Sequence, residues 1–225
     1  VKARAGPHPL EQALPLGHIV RDILQLGANA REARKIIKSG EVLVDGTIRK
    51  DVKFPVGIMD VVKIPKIEKQ YRILPVIGKG FYPVEISAEE AEYKLVRIEN
   101  KTTIKGGHIQ LNLHDGRNIV IRVSDPRNPE EAKQYKTMDV LKIAVPTQQI
   151  LEQIPLQIGN TGIVFSGHNF GQTGTITDIA KRFGVNASVI GINNDKNEHV
   201  ETLYNYMFVV GTPDSTPITL PKVNA

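Results

Sequence analysis

Two Asp-Gly dipeptides, Asp45-Gly46 and Asp115-Gly116, each sit between β-prone runs, and this constrains the fold more than any other feature of the sequence. A tight connection between antiparallel strands favours positive φ at its central positions, which Asp-Gly adopts at little cost, so each dipeptide predicts a hairpin. The longer helical patterns are confined to the first 40 residues. Leu16, Ile19, Val20, Ile23, Leu24 and Leu26 recur at three- and four-residue spacing and predict a helix over 14–26, with Gly27 as its stop. Asn29-Ala30-Arg31-Glu32 has the spacing of a capping box, and the helix it opens, 30–39, places Ala33, Ile36 and Ile37 on one side and ends at Gly40. From Tyr71 onward the pattern is short strands punctuated by glycine turns. The expected fold class is therefore α+β, mostly β: a small αβ module, then an antiparallel β domain, then a small barrel.

Composition narrows the chemistry. The 225 residues include no cysteine, which excludes a disulfide framework, a thiolate zinc site and a cysteine nucleophile, and fits a reducing compartment. The longest run without a charged residue, Gln153–Thr177, holds five glycines and Pro155 and could not satisfy its backbone as a spanning helix, so no membrane insertion is expected. No apolar signal segment follows Val1-Lys2-Ala3-Arg4, and the absence of an initial Met leaves open what precedes Val1. The net charge of +5 is unevenly placed. Residues 1–70 carry 13 basic and 8 acidic side chains, residues 71–155 carry 12 and 11, and residues 156–225 carry 4 and 5. The excess thus lies in the first third, as expected of a nucleic-acid contact on a small folded module.

Within that third, Arg31, Arg34, Lys35 and Lys38 fall at i, i+3, i+4 and i+7 on the second helix, opposite its apolar side. Like charges so spaced repel, and an anionic partner would relieve them. The two short helices, the Gly-Glu-Val-Leu-Val-Asp-Gly hairpin at 40–46 and the closing Pro55-x-Gly57-x-x-Asp60-Val61 strand resemble the alpha-L type RNA-binding motif over about residues 14–64. That resemblance implies phosphate contacts from the second helix and the adjoining loop: Arg31, Arg34, Lys35, Lys38, Arg49, Lys50 and Lys53.

Pro65–Gln70 is polar and reads as a linker. Beyond it, Ile73–Val76 and Phe81–Ile86 flank a Gly78-Lys79-Gly80 turn, Ser87–Glu90 opens a short helical piece to about Tyr93, and strands follow over 95–100, 101–104, 109–113 and 118–123. The expected divisions are 1–66, 67–152 and 153–225. The run Gly162-Ile-Val-Phe-Ser-Gly167, with Gly171 and Gly174-Thr-Ile behind it, resembles the KOW motif of SH3-like barrels, in which Gly174 would occupy a sharp turn where a side chain clashes; further strands are read at 187–192 and 201–210, with a turn at 193–195. The order of the three parts is similar to the small-subunit ribosomal protein family of archaea and eukaryotes written S-four-E. Tyr71–Leu74, Ile86–Leu95, Lys105–Arg117, Met138–Ile143 and Ile218–Lys222 carry the likeness along the chain.

This family implies a structural constituent of the cytoplasmic ribosome with no catalytic activity and no cofactor. Its implied partners are small-subunit ribosomal RNA and neighbouring ribosomal proteins, and the protein is expected to be a monomer outside the ribosome. Two departures stand out: of a basic leading tail only Lys2, Arg4 and His8 remain, and the 167–174 turn carries no charge, which leaves backbone amides or a protein partner for that turn. Two other readings stay open. An RNA-modifying enzyme would use the alpha-L module for targeting, yet the Gly-Arg-Leu-Asp stretch of pseudouridine synthases does not occur; an elongation factor would rest on the KOW-type barrel alone. No Walker lysine accompanies the late glycines, and the six histidines show no helical ligand spacing, so no metal site is expected. His114-Asp115 is accounted for by its turn, Arg117 is a minor RNA contact, and Glu89, Glu90 and Glu92 read as a solvated face.

Overall fold

The structure, a computed structural model, describes residues 2–182, 187–194, 198–213 and 215–221. It is α+β and mostly β, as expected, and the chain divides into two compact units. The first comprises residues 1–94, 144–149 and 219–225, and the second 95–143 and 150–218. Among the described residues no helix is long and apolar enough to cross a membrane.

In the first unit a 3-10 turn over Leu10–Gln12 leads into strand β1 (Ala13–Pro15), where the periodicity predicts the start of a helix. Pro15 lacks an N–H and disfavours helical geometry in the residue before it, so the helix cannot start at Leu14. The strand instead pairs with β4 (Pro55–Gly57), Leu14 opposite Val56. α-Helical geometry begins with α1 (Leu16–His18) and widens into a π-turn over Ile19–Ile23, closed by Leu24 N–H donating to the Ile19 carbonyl at 2.9 Å. Gln25, at φ 52°, takes the left-handed role expected of Gly27. Gly27 is needed for a different reason: a Cβ there would lie 2.8 Å from the backbone nitrogen of Ala33. The apolar residues of the pattern still reach the core. Leu16, Ile19 and Val20 are fully buried, and Leu14, Ile23, Leu24 and Leu26 pack against them.

Helix α2 (Ala30–Lys38) forms as its caps predict. Asn29 Oδ1 accepts from Arg31 N and Glu32 N at 3.0 Å each, and Gly40 adopts φ 85° beyond its end. Glu32 reaches back one residue further than a standard capping box, accepting from Ala28 N at 2.8 Å. Strands β2 (Leu43–Val44) and β3 (Thr47–Ile48) meet at Asp45-Gly46 with φ values of 49° and 70°, the double left-handed turn the dipeptide predicts. They join β5 (Val61–Ile64), β6 (Lys69–Val76) and β7 (Gly80–Glu85) in the sheet order β3-β2-β5-β6-β7. Residues 65–70 are therefore not a linker. They turn through a short 3-10 segment and Glu68 at φ 54°, so that β6 pairs directly with β5, Val61 opposite Arg72.

In the second unit one sheet has the order β10-β9-β8-β11-β12, built from β8 (Tyr93–Thr103), β9 (Ile109–Leu113), β10 (Asn118–Ile121), β11 (Val140–Ala144) and β12 (Ile150–Ile154), with helix α3 (Glu130–Lys133) between β10 and β11. The two strands read at 95–100 and 101–104 are one strand with a bulge between Ile98 and Asn100. The second Asp-Gly turn differs from the first, because only Gly116 is left-handed. The core of this sheet is Val96, Ile98, Leu111, Leu113, Leu141 and Ile143. The last sheet, a half-barrel in the order β16-β15-β14-β13-β17, contains β13 (Thr161–Val164), β14 (Thr173–Ala180), β15 (Val189–Asn194), β16 (His199–Leu203) and β17 (Met207–Gly211). The expected turn at 193–195 lies partly outside the described residues, as does Lys222.

Gly167 and Gly171 occupy the 165–172 connection with φ near 84°. Gly174 lies inside β14 rather than at a turn, so the turn expected there is corrected while the expected clash is real: a Cβ would stand 2.2 Å from the Asn193 carbonyl oxygen across the sheet. Because the obstacle is backbone, Gly174→Ala is expected to lower stability by about 1–3 kcal/mol. Urea unfolding monitored by far-UV circular dichroism measures it.

Candidate nucleic-acid interface

Helix α2 buries Ala33 and Ile37 and turns its cations outward. Arg31, Arg34, Lys35 and Lys38, together with Asn29, Glu32 and Ser39, line one open groove of about 760 Å³. All four cations are exposed, and none forms a salt bridge with the described residues. The acid among them, Glu32, is held at the helix start by Ala28 N and Asn29 Nδ2. Among the described residues no salt bridge relieves the helix-local repulsion of these cations.

The other three basic residues are distributed differently. Lys50 is exposed and runs beside Gly40 at the end of α2, its Cε 3.4 Å from where a Cβ on that glycine would stand. Arg49 is half-buried, its guanidinium 4.4 Å from the centroid of the Phe54 ring, and its Nε has no hydrogen-bond partner among the described residues. Lys53 lies outside the groove, in a loop where its carbonyl accepts from Arg4 N and its N–H donates to Asp51. In the second unit Arg117 turns back onto Asp115 of its own turn, Nε to Oδ2 at 3.3 Å, and is only 20% exposed.

The expected remnant of a basic tail is put to other uses. Arg4 pairs with Asp51 at 3.2 Å, and His8 is buried with Nε2 at 2.9 and 3.0 Å from the two Asp60 oxygens. Asp60 in turn accepts from Gly57 N and pairs with Lys94, whose fully buried ammonium also reaches Asp45 at 2.8 Å. Burial alone would push the Asp60 carboxyl up, but Lys94 and His8 outweigh it and hold the group well below the usual carboxylate range. Asp45 also accepts from Val61 N, so the hairpin turn is locked to β5 as well as formed by its own φ preferences. A Cβ on Gly57 would come within 2.4 Å of the His8 ring, which is why a glycine stands there.

A second buried pair joins Arg72 to Glu90 at 3.2 Å, and Glu90 also accepts from Thr219 N and Oγ1. Glu90 is therefore not part of a solvated acidic face, although Glu89 and Glu92 are exposed. Neither buried cluster was visible in the sequence. Residues 8, 45, 60 and 94 share no spacing, and only the folded chain brings them together. His114 finds partners apart from Asp115, accepting from Arg97 N and packing edge-on against Phe208.

These elements are those of an S4-type module on antiparallel β sheets, and comparison with known proteins agrees. The S4 domain model matches residues 23–62, which hold α2 and the first hairpin, and the model of Ribosomal family S4e matches residues 67–150. Small ribosomal subunit protein eS4 of Ignicoccus hospitalis is 48% identical over 222 residues, covering 99% of this chain and 87% of the relative. The protein of the same name from Staphylothermus marinus is 49% identical with the same coverage. The crystal structure of 30S ribosomal protein S4e from Thermoplasma acidophilum superposes with a TM-score of 0.76 at 31% identity, covering 92% of this chain and 99% of that one. The chain belongs to Ribosomal family S4e.

Proposed function

We propose that the protein is a structural constituent of the small ribosomal subunit, held on ribosomal RNA by phosphate contacts from the α2 groove. The observation that carries this reading is the set of four exposed cations on one groove, none in a salt bridge among the described residues, in a chain whose relatives are named small ribosomal subunit proteins. Arg31, Arg34, Lys35 and Lys38 neutralise phosphates along the groove, Lys50 extends the track past the end of α2, and Arg49 and Lys53 flank it. Binding draws on counterion release and on the shape of folded RNA rather than on base sequence. In this reading residues 1–66 make the principal RNA contact, while 67–152 and 153–225 fit between RNA segments and neighbouring ribosomal proteins. The protein is monomeric before assembly and performs no catalysis.

Five to seven phosphate contacts give a log–log dependence of RNA affinity on salt with a slope between about −3.5 and −6, at roughly −0.7 to −0.9 per contact. Titration of small-subunit RNA between 50 and 300 mM KCl measures it. A flat dependence would sink the proposal.

A further inference from the structure

The half-barrel has an uncharged glycine turn before β14, but the residues that follow β14 have a different character. Lys181 and Arg182 are both exposed, and they are the only Lys or Arg among the described residues after Ile154. Neither forms a salt bridge with the described residues. Of the described acids nearby in the chain, Asp178 is exposed on β14, Glu198 accepts from Asn194 Nδ2 at 2.9 Å, and Glu201 lies 3.9 Å from His199. Lys181 Nζ sits 5.6 Å from the centroid of the half-buried Tyr204 ring. Ser188 fixes the arrangement from both sides. Its hydroxyl accepts from Arg182 N at 3.0 Å, and its carbonyl accepts from Tyr204 N at 2.9 Å.

We infer that Lys181, Arg182 and Tyr204 form a second RNA contact, carried by the half-barrel and separate from the α2 groove, which takes an unpaired nucleotide. On binding, the long Lys181 side chain swings off the Tyr204 ring that it lies over and, with Arg182, neutralises the flanking phosphates, while the ring stacks on the base. An aromatic face beside paired cations is the combination that binds single-stranded nucleic acid without base-specific hydrogen bonds, since every base offers a π-face. An acidic protein segment would use the two cations but would have no need of the ring, so the role of Tyr204 separates the two partners. The inference rests on the ribosomal-RNA reading above and adds where the half-barrel meets the RNA.

The test uses the full chain and protein-free small-subunit RNA. Lys181→Gln with Arg182→Gln is expected to reduce the magnitude of the salt slope by about 1.4–1.8. Tyr204→Ala is expected to weaken binding by about 5- to 150-fold, and Tyr204→Phe, which keeps the ring, to leave it unchanged. Thermal unfolding of each variant identifies any loss of fold, and ultraviolet crosslinking of Tyr204 to RNA in the unmutated protein gives a readout that needs no variant. Unchanged affinity and slope in the double Gln variant, with no crosslink at Tyr204, overturns the inference while leaving the α2 groove standing. A reduced slope with Tyr204→Ala unchanged assigns the cations to simple phosphate neutralisation and overturns the stacking site. If variants of the α2 groove also bind RNA normally, the failure belongs to the ribosomal-RNA reading itself.

Discussion

Lys94→Met should cost the first unit about 3–5 kcal/mol at neutral pH, the largest single-residue effect expected in this protein. The Lys94 ammonium is fully buried between Asp45 and Asp60, and its removal leaves two carboxylates in a site that disfavours their charge. The packing volume is nearly kept by Met, so the loss reports charge. The pH dependence follows from the sign of the Asp60 shift. A carboxyl held below its unfolded value contributes stability above the unfolded pKa of about 4, and that contribution is lost as pH falls toward the folded pKa. The unmutated protein should lose about 1.4 kcal/mol of stability per pH unit from this group in acid. In Lys94→Met the partner charge is gone, so the deficit relative to the unmutated protein should narrow as the pH drops from 7 to 4. Chemical denaturation at a series of pH values tests this; a deficit independent of pH would mean that Lys94 acts by packing alone.

Arg34→Glu combined with Lys38→Glu should do the opposite, leaving the fold intact and abolishing function. Both side chains are exposed on the groove and form no salt bridge among the described residues, so stability should change by no more than about 0.5 kcal/mol. Two charge-assisted contacts at about 1.5 kcal/mol each make the loss of RNA affinity on the order of 100-fold or more. The salt slope should fall in magnitude by about 1.4–1.8. Co-sedimentation with small ribosomal subunits provides the assembly readout. Full incorporation of the double variant would remove the groove from the interface.

Set side by side, the two variants separate what could be read in the sequence from what could not. The α2 face was legible because each of its causes is local. Asn29, Glu32 and Gly40 lie within a turn of the ends they cap, and the cations follow the 3.6-residue period on the side opposite Ala33 and Ile37. The Asp45-Gly46 turn was legible for the same reason. The segment before it follows the apolar pattern in its core residues but not in its backbone. Periodicity identifies which side chains are apolar, but Pro15 and the pairing of β1 with β4, some 40 residues later, decide that Leu14 is in a strand. Arg49 and Lys53 carried the same formal charge as the groove residues. Burial against Phe54 and placement in the Arg4–Asp51 loop set them apart, and neither follows from charge or spacing.

The Asp-Gly hairpins show the division most directly. The sequence by itself determined that Asp45-Gly46 and Asp115-Gly116 would turn the chain, because the φ preferences of a glycine and its neighbour act within the dipeptide. Only the tertiary structure decided that the second would depart from the double left-handed turn the dipeptide predicts, with Gly116 alone left-handed. It also made Asp45 a buried partner of Lys94, 49 residues away, where the hairpin had required only a turn residue. Buried charge needs an opposite charge close by, and that proximity is a property of the packed chain, with no counterpart in the spacing of the residues that supply it.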